Sequence, residues 1–351
     1  VVDLSLTDPE GWNTSKLANP ISSYTEAIIW EVHVRDFSNK IADSRYKGKY
    51  LAFTERGLVN EHGKSVGIDY LVELGINAFK LSPVHQVLIE KSVKGYKEIE
   101  FEVMRDTNDH AITICGMENI DPVGVHTGDS CVVAPIMTLS KEDEKMLNDS
   151  AIKLIKELKI EGGCNVQFAL NPETSEYYLI EVNPRVSRSS ALASKASGYP
   201  IARVTAKIAV GMALEDITIA NTTAAFEPRL DYVIAKLPRF PFDKFATAPN
   251  TLGTQMKATG EVMGIGSNLE ECLLKSVRSL EIGVNHLYMK KFDSYTEEEL
   301  LKYIVNGTDD RFYAIAELIS RGTDMGMIYH ATKIDMLFLE KFKNIIAENG
   351  T

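Results

Sequence analysis

The stretch from Asn165 to Asn183 reads NVQFALNPETSEYYLIEVN and decides the fold of the central part of the chain. Its two ends, NVQFAL and YYLIEVN, are rich in apolar and aromatic residues, and the turn-forming residues 171–175 stand between them. Two such runs around a turn segment predict a β-hairpin. A hairpin centred on Thr174 sets Gln167 directly opposite Glu181.

This register separates a polar face from an apolar face, because successive side chains of a strand point to opposite sides of a sheet. The polar face carries Gln167, Glu181 and Asn183. Amide and carboxylate oxygens with little negative charge leave coordination positions for waters and phosphates, as nucleotide-bound Mg²⁺ requires. From the spacing alone, a solvated sheet face is the more common meaning of such a pattern. The apolar face, expected to pack on the core, pairs Phe168 with Ile180 and Val166 with Val182.

The segment after the hairpin, 185–195, is rich in cations and hydroxyls. Arginine offers a planar fork of donors that fits the oxygens of phosphate or bicarbonate. A helix start with serine caps and surface charge is the alternative interpretation. Because the segment follows the oxygen-rich face, we favour an anion pocket. Its members are Arg185, Ser187, Arg188, Ser189, Ser190 and Lys195.

Two further segments are weaker candidates. His126 lies in the polar loop GVHTGDS, 124–130, where glycines let the backbone approach a ligand, although a lone loop histidine is more often only solvated. The segment 91–98, KSVKGYKE, has backbone groups that can face a base and a carboxylate, Glu98, that can reach ribose hydroxyls. The more common interpretation of a segment such as 91–98 is the charged edge of a strand.

Composition limits the class of protein. The 351 residues suffice for two or three domains, and 44% hydrophobic with 25% charged residues is typical of a globular chain. The net charge of -11 argues against a nucleic acid or an anionic membrane as partner, and no apolar run approaches the roughly 20 residues of a membrane span. Four cysteines without CxxC spacing, and no basic-then-apolar leader, predict a cytoplasmic protein without disulfides or a zinc site.

The first part of the chain has the pattern strand, helix, strand. Residues 27–37 are β-rich and partly alternating, 65–74 have near-helical apolar spacing with Gly75 as a cap, and 76–81 begin another strand. A parallel strand pair joined by a right-handed crossover is the ordinary arrangement of such a unit.

After Pro83 the pattern changes to short strands separated by turns, which predicts an antiparallel sheet. The strands are expected at 87–89, 98–105 and 111–117. An amphipathic helix begins at the cap Ser140 and ends before Gly162-Gly163. Further helices are expected from Pro200, at a first helical turn, and from a capping box of Thr296 and Glu299 that opens a small all-helical domain.

From about Ser82 to the end, the chain resembles the large chain of carbamoyl-phosphate synthetase. The resemblance covers about three quarters of the chain, and its central motif resembles the amino-terminal, carboxyphosphate-forming half of that family. It implies an ATP-grasp fold, here the carboxyl-terminal lobe, followed by the start of an oligomerisation domain. The motifs are VLIEKSVKGYKEIEFEVMRD, MENIDPVGVHTGDS, VAPIMTLS, EGGCNVQFAL, IEVNPRVSRSSALASKASGYPIA, AAFEPRLDYVIAKLPRFPFDKF and TLGTQMKATGEVMGIG.

This resemblance implies a set of site residues. Gln167 and Glu181 would bind both ATP and Mg²⁺ or Mn²⁺, and Asn183 would complete the metal set. Arg185 and Arg188 would hold phosphate or bicarbonate and, with Glu181 and Asn183, form the catalytic set. The remaining nucleotide-binding positions would be Lys91, Val93, Glu98, Gly124, Val125 and His126.

The resemblance also implies an activity and a partner. In this family ATP phosphorylates bicarbonate to carboxyphosphate, ammonia from a glutaminase small chain gives carbamate, and a second ATP gives carbamoyl phosphate for pyrimidine and arginine synthesis. The family places a pre-ATP-grasp domain, two nucleotide-binding arginines and a Gly-rich phosphate loop upstream, where this chain has different sequence. We therefore expect a carbon-nitrogen ligase fragment that is inactive in isolation and able to self-associate through its helical tail.

Residues 1–84 resemble a type I pullulanase, an α-glucan debranching enzyme with a (β/α)8 barrel. The motifs VVDLSLTDPEGW, TEAIIWEVHVRDFS, YKGKYLAFTERG and GIDYLVELGINAFKLSPV match its first barrel strand, helix and second strand. We interpret the chain as chimeric, with a junction near Ser82-Pro83-Val84 and domains at 1–84, 85–284 and 285–351. A pullulanase-type hydrolase fragment and a non-catalytic binding or oligomerisation module are the alternative functions.

Overall fold

The computed structural model describes residues 27–76, 78–81, 91–245 and 247–348. The predicted junction at 82–84 and the predicted strand at 87–89 lie outside these ranges. The chain divides into two compact units, with the division between Lys91 and Ser92.

The amino-terminal unit contains the predicted strand, helix and strand. Strand β1, Ile29–Val32, is parallel to β2, Ala78–Leu81, and helix α2, Ile68–Glu73, lies between them in sequence. The parallel pair is therefore confirmed. The prediction of a strand over 27–37 was too long, because His33 accepts a hydrogen bond from the Arg35 backbone N–H and caps helix α1, Val34–Ser38.

The carboxyl-terminal unit is built on one seven-stranded sheet. All neighbouring strands in it are antiparallel, as predicted, in the order β11-β10-β5-β4-β3-β6-β7. The strands are β3 Lys97–Arg105, β4 Ala111–Asn119, β5 Val132–Ala134, β6 Gly162–Leu170, β7 Tyr177–Asn183, β10 Val233–Arg239 and β11 Gly260–Gly266, with a small hairpin of β8 Thr218–Ile219 and β9 Thr222–Thr223 apart from them.

The alternation of side chains along β3 determines which residues lie on each face of the sheet. Ile99, Phe101 and Val103 point to one face and pack in the cluster beneath helix α3, Lys141–Glu157, whose predicted cap Ser140 accepts from the Asp143 backbone N–H. The intervening side chains point to the other face, because strand side chains alternate. That second face therefore carries Glu98, Glu100 and Glu102, all buried.

Helices α4, Arg188–Ser197, and α5, Ile201–Ile208, cover part of this second face. Pro200 stands one residue earlier than predicted, at the N-cap of α5. At the other end, the face is left open above β6 and β7. This open end is where the candidate site lies.

The hairpin of β6 and β7 follows the predicted register only in part. Gln167 pairs with Glu181 and Val166 pairs with Val182, as expected. The predicted pairing of Phe168 with Ile180 is wrong, since an irregularity after Gln167 shifts the register and Phe168 pairs with Leu179. Leu179 and Ile180 are 44% and 45% exposed, so the outer strand does not seal the core there as expected.

A helical region completes the carboxyl-terminal unit. Helix α6, Leu269–Ser279, packs on β10 and β11, and four helices follow from Thr296, where the sequence predicted an all-helical region without giving their number. Thr296 and Glu299 form the predicted capping box. Within the described ranges, no helix is long and apolar enough to cross a bilayer. The four helices are α7 Glu297–Ile304, α8 Arg311–Ser320, α9 Met325–Thr332 and α10 Met336–Ala347.

Candidate functional site

A cavity of about 330 Å³ lies over the open end of the second sheet face. Strands β3, β6, β7 and β10 form its floor and side, and the start of α4 and the loop 126–128 form its rim. Such a volume is at the lower end of small-molecule sites. Its charged and amide side chains include Glu100, Gln167, Glu181, Asn183, Arg188 and Lys236.

Strand pairing places the polar side chains in two adjacent rows. Glu100 lies opposite Gln167, which lies opposite Glu181. In the next row Glu102 lies opposite Asn165, which lies opposite Asn183. Rows two residues apart share one face, so carboxylates and carboxamides of three strands converge there.

Asn165 connects the two rows and orients Gln167. Its Nδ2 donates to Glu100 Oε2 at 3.1 Å and to Glu102 Oε1 at 3.0 Å. Its Oδ1 accepts from Gln167 Nε2 at 2.8 Å. That bond holds one N–H of the Gln167 carboxamide on Asn165 and leaves its oxygen Oε1 able to bind a ligand.

Hydrogen bonds from the start of α4 hold the helix against these carboxylates. Ser189 Oγ donates to Glu100 Oε2 at 3.0 Å, and Ser190 Oγ donates to Glu102 Oε2 at 2.9 Å. Ser187 and Ser190 also form the capping box of the helix. Burial raises the pKa of Glu102 to about 8, with Ser190 opposing the shift. The serines predicted as part of an anion pocket thus fasten the helix that carries Arg188.

The two predicted arginines stand at the rim of the cavity. Arg185 donates to Asn183 Oδ1 at 3.4 Å, and Arg188 Nη1 lies 3.2 Å from Met256 Sδ. Both side chains are exposed, and within the described residues neither is engaged in an ion pair with a carboxylate. Their guanidinium groups are therefore available to an anionic ligand.

His126 is held in one tautomer by its own loop. Its backbone N–H donates to Gly253 O at 2.8 Å, and its Nδ1 accepts from the Gly128 backbone N–H at 2.9 Å. In the neutral ring the proton then sits on Nε2, which is left to donate. A side chain on Gly128 would come within 2.7 Å of Met256 Sδ, so the loop packs closely here.

Several predicted nucleotide-binding residues do not line this cavity. Glu98 is buried on the same sheet face, where burial and the nearby Glu100 raise its pKa to about 8. Val125 and Gly124 lie in the loop before His126, and Val93 accepts a backbone hydrogen bond from Tyr96. Lys91 ends the amino-terminal unit.

The donor set fits a hard cation that keeps water or phosphate ligands. Among the described residues, no three His, Cys, Asp or Glu side chains are grouped to hold a metal ion. Glu181, Asn183 and Gln167 offer one carboxylate and two amide oxygens at the cavity. Such a set leaves positions for phosphate oxygens and suits Mg²⁺ or Mn²⁺ better than zinc.

Sequence reasoning missed four charged or amide side chains of the cavity: Glu100, Asn165, Lys236 and Glu261. The run KEIEFE, 97–102, carries a usable signal, because glutamates alternate with apolar residues and must therefore share one face. Lys236 gives no such signal, since its place depends on the order of strands in the sheet.

With this geometry, the fold is an ATP-grasp-like α+β fold, and two family models match the chain. Residues 67–217 match the carbamoyl-phosphate synthase L chain, ATP binding domain. Residues 261–350 match the carbamoyl-phosphate synthetase large chain, oligomerisation domain. The chain thus contains two regions similar to domains of carbamoyl-phosphate synthetase large chains. The first match begins at residue 67, inside the segment 1–84 that we expected to be pullulanase-like.

Similar solved structures are carboxylases. A complete multifunctional pyruvate carboxylase from Rhizobium etli is 18% identical, with a TM-score of 0.44, and the match covers 56% of this chain and 22% of that one. A biotin carboxylase subunit of pyruvate carboxylase is 14% identical, with a TM-score of 0.41 and coverage of 54% and 47%. The chain therefore spans less than a quarter of the Rhizobium etli protein and about half of the subunit.

Proposed function

We propose that the chain is part of a carbamoyl-phosphate synthetase large chain and that its cavity binds Mg-ATP and bicarbonate for the formation of carboxyphosphate. The proposed domains are the pullulanase-like segment 1–84, the ATP-grasp lobe 85–284 and the oligomerisation segment 285–351. A glutaminase small chain would supply ammonia, in the cytoplasm, for pyrimidine and arginine synthesis.

One observation carries this proposal. Glu181, Gln167 and Asn183 converge from two strands, and Arg185 and Arg188 line the same cavity, with Arg185 donating to Asn183. The carboxylate and amide oxygens suit a cation, and the guanidinium groups suit phosphate or bicarbonate oxygens. An enzyme that transfers a phosphoryl group between two anions needs positive charge around the reacting atoms, which a bound cation and guanidinium groups can supply together.

The side chains have distinct roles in this scheme. A bicarbonate oxygen attacks the γ-phosphorus of ATP, the bond to the bridging oxygen breaks, and ADP leaves. Arg185 and Arg188 hold the two anions close together and offset their repulsion. His126 donates from Nε2 to a ligand oxygen, and Gln167 and Glu181 orient the phosphates. Bound Mg²⁺ or Mn²⁺ supplies further charge neutralisation on the transferring group.

We propose that this chain alone binds Mg-ATP weakly and does not turn it over. The Gly-rich loop and two arginines that the family uses to close over the phosphates are replaced by other sequence. Each missing charge-assisted hydrogen bond is worth about 1.5–3 kcal/mol, so several together weaken affinity by orders of magnitude.

Calorimetry with Mg-ATP and a bicarbonate-dependent phosphate-release assay test the proposal. We expect weak binding that Glu181→Ala abolishes, without turnover. Glu173→Ala, an exposed carboxylate in the turn of the same hairpin, is the control and should leave binding unchanged. Binding that is insensitive to Glu181→Ala would refute the assignment of the cavity. Bicarbonate-stimulated turnover would show that the missing part is dispensable.

A second function, self-association, is favoured by the match of residues 261–350 to an oligomerisation domain. We propose that the helical region contacts a second copy of the chain. Sedimentation velocity over a range of concentrations should show a dimer or larger species. A monomer at all concentrations would contradict this second function and leave the ATP proposal untouched.

A further inference from the structure

Lys236 is a buried cation at the floor of the cavity. It lies on β10, is 4% exposed, and donates through Nζ to the backbone carbonyls of Thr127 at 3.0 Å and Gly128 at 3.5 Å. An ammonium group has three N–H donors. The described residues thus provide acceptors for two of them, and the third has none at hydrogen-bond distance.

The charge of Lys236 also lacks a direct partner. The carboxylates that interact electrostatically with it include Glu98, Glu100, Asp129 and Glu261, yet none in the described ranges forms an ion pair with Nζ. Glu100 is occupied by Asn165 and Ser189, and Asp129 accepts the backbone N–H groups of Lys257 and Ala258. A buried ammonium group without an anion is costly, because burial removes its hydration.

We propose that Lys236 binds an oxyanion of the ligand, a phosphate oxygen or bicarbonate, through its third N–H. The inference rests on the proposed function, since it names a binding residue of the same cavity. Arg185 and Arg188 approach the ligand from the exposed rim, whereas Lys236 approaches it from the sheet. Burial lowers the pKa of Lys236, and an adjacent anion would favour its charged form. The ion pair would then form only when ligand is bound.

Lys257 provides a matched control. Its Nζ likewise donates to two backbone carbonyls, those of Pro249 at 3.0 Å and Thr251 at 2.6 Å, but its side chain does not line the cavity. Lys236→Met and Lys257→Met therefore remove the same group and the same kind of bonds. They differ in that the ammonium group of Lys236 is buried and faces the cavity, whereas that of Lys257 is more exposed and lies outside it.

The experiment measures binding of three probes, Mg-ATP, inorganic phosphate and bicarbonate, to the full chain and to each variant. Lysine side-chain NMR on the wild type records the Lys236 signal during each titration. We expect Lys236→Met to weaken binding at least tenfold and Lys257→Met to change it less than twofold. A loss of affinity confined to Mg-ATP and phosphate would mean that Lys236 contacts a phosphoryl group. A loss of affinity confined to bicarbonate would mean that Lys236 contacts bicarbonate.

The outcomes separate this proposal from the proposed function. Affinities for all three probes that Lys236→Met leaves within twofold, or a Lys236 signal that none of the probes moves at saturation, would overturn the role of Lys236 and leave the ATP site standing. A Lys236 signal that moves with phosphate or bicarbonate, without any affinity for Mg-ATP, would support the oxyanion site and contradict the ATP proposal. If Lys236→Met does not fold, Lys236→Arg, which keeps the charge, and the wild-type NMR signal decide the question.

Discussion

Glu100 of β3 lies directly opposite Gln167 of β6, and Asn165 hydrogen-bonds to both side chains. The buried carboxylate and the carboxamide therefore share one hydrogen-bond partner. Loss of that residue should disturb the whole polar face rather than one contact, because buried polar networks depend on every member being paired.

Replacement of Asn165 by alanine tests this dependence. Asn165→Ala removes the donor shared by Glu100 and Glu102 and the acceptor of Gln167 Nε2. Each buried group left without a partner costs about 1–3 kcal/mol, so we expect a loss of a few kcal/mol in urea unfolding. Asn344→Ala removes an exposed carboxamide that bonds Glu270 and should cost less than about 1 kcal/mol. Equal losses of unfolding free energy in the two variants would contradict this role of the hydrogen-bond network around Asn165.

The buried carboxyl of Glu102 predicts a pH dependence of stability. Its pKa is raised to about 8 in the folded chain, mainly by burial, and lies near its ordinary value of 4.5 when the chain is unfolded. Between these values the folded state holds a proton that the unfolded state has lost, so stability falls as pH rises from about 5 to 8. Glu102→Gln should remove this part of the slope. Unfolding curves at several pH values give the slope of stability against pH. The same slope in Glu102→Gln as in the wild type would show that Glu102 has an ordinary pKa in the folded chain.

A buried ion pair joins the helical region to the sheet. Arg311 of α8 bonds Asp121, and both side chains are less than 10% exposed. Removing one partner leaves a buried charge, so Arg311→Met should destabilise the chain by about 3–5 kcal/mol. Lys302→Met breaks an exposed pair with Glu298 on α7 and should change the stability little, because solvent screens such a pair. Similar thermal unfolding of the two variants would show that the buried pair is not a structural link.

The amino-terminal segment should not hydrolyse glucans. The paired carboxylates of the pullulanase family come from later barrel strands, and Glu31 and Asp36 are not candidates for that pair. Incubation of the chain with pullulan should release no reducing ends above a control without enzyme. Release above that control would make a glycoside hydrolase the better interpretation of residues 1–84.

Sequence predicted the parts of the site that depend on local pattern. Alternation and the turn were enough to place Gln167 opposite Glu181, but not to foresee the shift that puts Leu179 opposite Phe168. Such a shift depends on how β7, an outer strand that buries few side chains, packs against β6. Lys236 was missed for a different reason: it is separated from β6 by β5, β4 and β3, and strand order is a long-range property.

The central claim is that Gln167, Glu181 and Asn183 face the metal and phosphates of a bound nucleotide. Titration with Mn-ATP, followed by NMR of the side-chain amides, tests it most directly because Mn²⁺ broadens nearby signals. We predict that the side-chain amide signals of Gln167 and Asn183 broaden first and that Glu181→Ala prevents this, whereas Glu173→Ala does not. Broadening that is strongest elsewhere, or that persists in Glu181→Ala, would contradict the claim.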